Sequence, residues 1–221
     1  MPAPTYRDPG EFVDSDHPAV IAFAKEHTQS DASDIENAVA LYYAVRDGWR
    51  YSPWNVRPGR QYFKASHVLT RDRSVGGHCI DKANVLAASA RAVAIPSKLH
   101  FANVRNHIGT ASLEAQLGTD LLVFHGYVEL HLDGKWVAAT PAFNKGLCDN
   151  LGVAPLEFDG REDSIFQPFD RHGGDEGRRF MEYVHDYGTF EDIPYEQMIE
   201  AWLHYYKPLR ETGAWPGRPD G

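Results

Sequence analysis

Cysteine is scarce in this 221-residue chain: there are two, Cys79 and Cys148, and no Cys-x-x-Cys pair. That excludes a disulfide-stapled scaffold and fits a reducing, cytoplasmic compartment. Long apolar runs are missing too; none approaches the ~18 residues of a membrane span, so no membrane partner is expected. The opening Met1-Pro2-Ala3-Pro4-Thr5-Tyr6-Arg7-Asp8 has neither the basic start nor the apolar middle of a secretion signal. Clusters of Lys and Arg are absent, and 22 basic against 31 acidic residues give a net charge of -9. Nucleic acid is therefore excluded as the main partner, because phosphate neutralisation needs basic clusters. The 11 histidines are scattered with no His-Glu-x-x-His spacing, so neither a metal nor another cofactor is implied. Nothing in the sequence bears on oligomeric state.

What is present suffices for a core: 43% of residues are hydrophobic, with no internal repeat and no dividing linker. We expect a single domain over residues 1–221. Residues 1–14 read as an extended arm. A helix starts near Ser15-Asp16-His17-Pro18, with proline in its first turn, and runs to about His27. A second is announced by the capping-box pair Ser33 and Glu36, carries the stripe Ala38, Leu41, Tyr42, Val45 and Trp49, and ends near Gly48. Tyr51 and Trp54 form an aromatic cluster, either core packing at a helix exit or a substrate-cleft wall with a donor for a reacting carbonyl. A short helix follows at Ala65–Leu69.

Val75-Gly76-Gly77-His78-Cys79 then closes a polar loop at the start of a helix whose face is Ala83, Leu86, Ala87 and Ala90, stopped by Ile95-Pro96. Cys79 thus sits at a helix start, where unpaired amides and the dipole favour thiolate. The plain structural alternative is a small cysteine packing a helix end. Residues 98–105 read as a strand, while 108–119 are ambiguous, a short helix or a loop. Leu121–Leu132 is a long strand with Leu122, Phe124, Gly126, Val128 and Leu130 on one face and His125, Tyr127 and Glu129 on the other. Asp133-Gly134 predicts a type I′ hairpin that pairs Leu130 with Val137 and Val128 with Ala139. Further on, Phe158-Asp159-Gly160-Arg161 suggests another hairpin. A helix from Pro194 to Tyr206 follows, with Asp192 as its N-cap and Met198, Ile199, Trp202, Leu203 and Tyr206 as its apolar face.

A cysteine at a helix start and a histidine on a later strand make a nucleophile–base pair. In this register His125 faces away from Val128 and Leu130, and its face is expected to meet the start of the Cys79 helix. The ordered set Gly77-His78-Cys79, Phe124-His125-Gly126-Tyr127-Val128-Glu129-Leu130 and Leu132-Asp133-Gly134-Lys135-Trp136-Val137 resembles the core of the transglutaminase-like superfamily. The resemblance spans about residues 33–144, leaving 145–206 as an elaboration and 207–221 as a tail. It implies an α+β, papain-like fold, with N-terminal helices and the Cys helix packed on an antiparallel sheet. Members include cross-linking acyltransferases, cysteine peptidases, glycopeptide amidases and inactive scaffolds.

Carried over by position, Cys79 matches the nucleophile and His125 the base. The implied chemistry is acyl transfer on a peptide or other amide-containing substrate, through a thioester released by water or by an amine. The family's acid opens an Asp-Pro-Thr after the returning strand, but here that place reads Thr140-Pro141-Ala142. Thr140 is the diagonal neighbour of His125, about 7 Å away across the strands, and is favoured to orient it. Asn144, just beyond, is the rival, since an amide oxygen fills this role in papain-like sites. The missing aspartate also leaves open a non-catalytic binding or scaffold domain. Cys148 has no motif around it.

Overall fold

The first two helices begin where their end signals predict. The computed structural model describes residues 5–54, 56–106, 111–165 and 181–215. Helix α1 is Pro18–His27, with the Nδ1 of His17 accepting the Ala19 amide at 3.1 Å. Helix α2 is Asp34–Gly48, and its capping box closes reciprocally: Ser33 N donates to Glu36 at 2.9 Å and Glu36 N to Ser33 Oγ at 3.3 Å. The predicted stripe Ala38, Leu41, Tyr42 and Val45 is fully buried. Helix α3 spans Ala65–Thr70.

The expected N-terminal arm is instead part of the core. Phe12 and Val13 are buried, and the Phe12 carbonyl accepts from Ala65 N at 2.9 Å and Asn84 Nδ2 at 2.8 Å. Asp192 does not cap the late helix; its carboxylate takes the amides of Phe12 and Val13 at 3.1 and 3.0 Å. Two adjacent apolar side chains in a polar stretch explain the difference, because burying them requires satisfying their backbone. Residues 1–4 of that arm lie outside the described residues.

Helix α4, Cys79–Ala92, is the central element, and every residue from Ile80 to Arg91 is buried. The sequence pattern predicts one buried face; the other is covered as well. Three of its polar side chains, Lys82, Asn84 and Arg91, hold neighbouring backbone. Lys82 donates to the carbonyls of Arg46, Trp49 and Ala142 at 2.8, 3.1 and 2.7 Å. Asn84 reaches Phe12 and Phe63, and Arg91 reaches Asp8, Ser97 and Glu191. Such ties satisfy loop carbonyls that would otherwise be buried unpaired.

The helix packs on an antiparallel sheet of order β3-β2-β1-β4, built from β1 Ser97–Asn106, β2 Leu121–Leu132, β3 Lys135–Ala139 and β4 Met181–Phe190. The hairpin register is as predicted, Leu130 opposite Val137 and Val128 opposite Ala139, with Asp133 at φ 48° and Gly134 at φ 81°. The face of Phe101, Val128, Leu130 and Val137 meets α4. A Cβ on Gly126 would come 3.4 Å from the Ile80 Cα and 3.1 Å from the Phe101 ring, so the missing side chain lets helix and strand close up. The other face carries polar groups: the two ring nitrogens of His100 lie 2.6 Å from Glu129 and from Asp186, and Tyr127 stacks on the same ring at 4.5 Å.

Strand β2 does not alternate uniformly as predicted. Ala102 pairs with His125 but Val104 with Leu122, so β2 holds one extra residue there, and Phe124 adopts φ 59°. The Asn103 side chain accepts the Phe124 amide at 3.1 Å and fills the bulge. No side-chain pattern announces such an αL phenylalanine.

Short helices α5 Ala111–Leu117 and α6 Lys145–Leu151 join the strands, and α7 Tyr195–Tyr205 and α8 Lys207–Thr212 close the described chain. Residues 158–161 form an Asx-type turn, Asp159 Oδ1 taking the amides of Arg161 and Glu162, and not a hairpin, since no strands flank it. The tail beyond Tyr206 is a helix through Thr212 with Leu209 buried, and Trp215 packs on Trp202 and Tyr206; residues 216–221 lie outside the described residues. Among the described residues no helix is long and apolar enough to cross a membrane.

Replacing Lys82 by methionine keeps the volume but strands three buried carbonyls. Lys82→Met is expected to lower the unfolding free energy by about 3 kcal/mol or more in urea titration; a loss under about 0.5 kcal/mol would contradict the role given to this ammonium.

Candidate active site

Cys79 takes the first position of α4 because the loop before it is tightly held. Gly76 sits at φ 74°, where a Cβ would meet the Arg50 carbonyl at 2.5 Å. The backbone of Gly77 pairs with residues 50–52, Gly77 N to Arg50 O and Ser52 N to Gly77 O, both 3.0 Å. Arg71 clamps the Gly76 carbonyl at 2.6 Å and Asp81 at 2.7 Å. His78 is the N-cap, its Nδ1 accepting the amides of Ile80 and Asp81 at 3.2 and 3.4 Å. An imidazole cap is unusual beside Ser, Thr, Asp and Asn, and only the neutral ring can accept through Nδ1.

The thiol is half-buried on an apolar cleft of about 30 Å³. Leu122, Val123, Tyr51, Trp202, Tyr206 and Trp215 form most of its wall. Tyr51 is thus a cleft residue, whereas Trp54 is not part of the lining. The β2 bulge turns the Val123 backbone outward to the C-terminal helices: its amide donates to Tyr206 Oη at 2.7 Å and its carbonyl accepts from Trp202 Nε1 at 2.9 Å. Trp215 closes over the cleft, donating from Nε1 to the Pro53 carbonyl at 2.7 Å. The i, i+4 pair Trp202 and Tyr206 is visible in the sequence as an apolar face; its polar edges and its place at the cysteine are not.

Burial pushes the Cys79 thiol up to about 11, against the amides of Gly126, Ile80 and Cys79 itself, which favour thiolate. The expected preference for thiolate at a helix start is therefore outweighed by desolvation. His125 has no exposed surface, and desolvation alone pulls its pKa down to about 4. Both groups rest neutral. Neither His125 nitrogen hydrogen-bonds to any described residue, Cys79 included. The Gly126 amide, next in chain after His125, is one of the backbone groups that lower the Cys79 thiol against its burial.

The expected meeting of faces needs correction. Gly126 faces α4, and His125 alternates onto the side of Tyr127 and Glu129. The helix start therefore reaches the strand through Gly126, not through the face that carries His125. The His125 ring lies 6.4 Å from Phe143, which makes an edge contact with Tyr51 at 4.7 Å on the cleft side.

Neither proposed orienting group hydrogen-bonds to the imidazole. Thr140 follows β3 as expected, but its buried hydroxyl has no aligned hydrogen-bond partner among the described residues. Asn144 is committed elsewhere: its Oδ1 accepts the Tyr51 amide at 2.9 Å and so braces the cleft wall. Tyr183, which sequence patterning does not single out, lies on β4 beside Thr140; burial raises its phenol above the usual tyrosine range, the Thr140 hydroxyl lowers it and the Cys79 charge adds to the rise. Its hydroxyl donates to Ile165 O at 3.3 Å. Cys148 lies away from the cleft in α6, 4.0 Å from the Phe143 carbonyl. Among the described residues, no three His, Cys, Asp or Glu side chains converge as metal ligands.

A family model described as the transglutaminase-like superfamily matches residues 21–141, more than half of the chain. Among solved structures, a candidate cysteine protease from Cytophaga hutchinsonii aligns with a TM-score of 0.51 over 87% of this chain and 48% of its own, at 14% identity. A candidate protease from Parabacteroides distasonis aligns at a TM-score of 0.38 and 17% identity, over 59% of this chain and 26% of its own. The chain thus spans about half the length of the first and a quarter of the second. No curated protein sequence matches. At such identities the first alignment speaks for shared fold, the α+β papain-like arrangement of a cysteine-bearing helix on an antiparallel sheet, while the family match covers α4, β2 and β3 together. The chain belongs to the transglutaminase-like superfamily.

Proposed function

We propose that this protein is a cysteine-dependent acyl-transfer enzyme acting on a peptide-like amide, with Cys79 as nucleophile and His125 as base. The observation that carries the reading is the placement of Cys79. Its sulfur opens the central helix on a cleft, against the amide that follows His125, and the imidazole there is buried with both nitrogens uncommitted. A buried polar group left unpaired costs about 1–3 kcal/mol, and such sites are retained where chemistry needs them.

With both groups neutral at rest, the proton leaves sulfur as the C–S bond forms. The thiol attacks the amide carbonyl while His125 takes its proton, which avoids creating a buried thiolate first. The amides of Cys79 and Gly126, which already favour negative charge on the sulfur, are the donors assigned to the tetrahedral oxygen. The imidazolium then protonates the departing amine, leaving a thioester on Cys79. Water releases an acid; an amine gives a transamidation product. The cleft walls, apolar and aromatic apart from His78 and the cysteine itself, favour a substrate with an uncharged side chain beside the scissile amide.

A non-catalytic binding domain is the second reading, favoured by Thr140 standing where the family's acid would be, since a neutral hydroxyl stabilises an imidazolium less than a carboxylate does.

Cys79→Ala is expected to abolish peptide-amide hydrolysis and amine incorporation, and Cys148→Ala to leave them nearly unchanged; equal losses from both would refute the assignment. The Cys79→Ala protein should unfold within about 1 kcal/mol of the parent, as expected for a small change at a helix start. Because Trp215 covers the cleft, Trp215→Ala is expected to accelerate iodoacetamide labelling of Cys79 several-fold. An unchanged labelling rate would show that the indole does not limit access.

A further inference from the structure

Behind the cysteine cleft, and sharing Val56 and His78 with it, lies a second and larger cavity of about 170 Å³. Arg57, Tyr62, His67, Arg71, His78 and Asp81 supply its polar lining. We propose that this cavity is a binding site for a small oxyanion, a carboxylate or a phosphate group, gripped between Arg57 and Arg71.

In a chain of net charge -9 the lining stands out. It holds two guanidinium groups against one carboxylate, that of Asp81, and the carboxylate is already engaged. Asp81 takes Arg71 Nη2 on one oxygen at 2.7 Å and faces His78 Nε2 with the other at 3.3 Å. Arg71 points Nη2 at Gly76 and Asp81, yet its Nε–H is buried with no partner among the described residues. Arg57 is exposed at the mouth, its guanidinium 5.3 Å over the Tyr62 ring, and it pairs with no acidic side chain among the described residues. An exposed guanidinium and a second one whose Nε–H is unpaired suit the flat, multiply accepting edge of an oxyanion.

Both cavity histidines have pKa values lowered first by burial. The charges of Arg71 and Arg57 lower His67 against Asp81, whereas at His78 the Asp81 carboxylate raises the ring by more than Arg71 lowers it. A bound anion would raise both rings. The cavity has room for such a group, being many times the ~10–15 Å³ that one water needs. The proposal does not depend on the acyl-transfer reading, since none of its residues is the nucleophile or the base.

The test is a titration of the whole chain with sodium acetate and, separately, inorganic phosphate at constant ionic strength, following the His67 and His78 ring signals by NMR. Saturable shifts of both rings are expected with at least one anion. Acetate acting alone assigns a carboxylate ligand, phosphate acting alone a phosphate one, and response to both supports the shared chemistry. Arg57→Gln, which removes an exposed group with no ion pair to break among the described residues, is expected to weaken the binding about tenfold. No saturation by either anion, or undiminished affinity in Arg57→Gln, would overturn the proposal.

Discussion

Lys82 lies with no exposed surface one turn along α4, and its three hydrogen bonds decide where the pieces of the cleft can be. Two of its acceptors, Arg46 and Trp49, are the end of α2, from which the chain runs directly to the cleft wall at Tyr51. The third, Ala142, follows Thr140 and precedes Phe143. One side chain thus fixes the helix of Cys79 against the segment that leads to the cleft wall and the segment whose Phe143 faces the His125 ring. Burial pushes the ammonium down to about 7, with the Asp47 carboxylate working against that fall. Only the charged form has three N–H groups for three carbonyls, so the network itself holds the proton.

The same dryness sets the character of the cysteine. A helix start offers an anion about 0.3–1 kcal/mol when exposed and up to ~2 kcal/mol in favourable geometry. Burial carries the thiol from 9.0 to about 11 in spite of three amides directed at it, a net effect on the order of 3 kcal/mol. Desolvation wins, and the imidazole is driven to its neutral form by the same cause. The linkage is plain in sign. His125 has its pKa depressed to about 4, so the unfolded chain takes up the proton first, and folding stability falls as pH drops from about 6.5 through 4.

The sequence makes legible whatever rests on local rules. Ser33 and Glu36 mark α2 to the residue, and Asp133-Gly134 sets the β2–β3 register, because caps and type I′ turns are decided within a few residues. Cys79 at its helix start and His125 on its strand are legible through the ordered motif. Hidden instead are features decided at long range. Asn103 on one strand makes the bulge at Phe124 on the next, and Trp202, Tyr206 and Trp215 reach back from the C-terminus to close the cleft. Buried Lys82, Asn84 and Arg91 look like a solvated helix face until the loops they hold are in place. Asn144 falls near the right position for chemistry but spends its oxygen on Tyr51, which only the folded chain can show.

The pH dependence of Cys79 alkylation tests this view of the site most directly, measured on the Cys148→Ala protein so that one thiol reports. A half-buried, desolvated thiol with no imidazolium partner predicts a single titration with a midpoint well above the ~8.5 of a free thiol, rising toward 11, and no acidic shoulder. Labelling that persists below about pH 6, as for an imidazolium-paired thiolate, would contradict it.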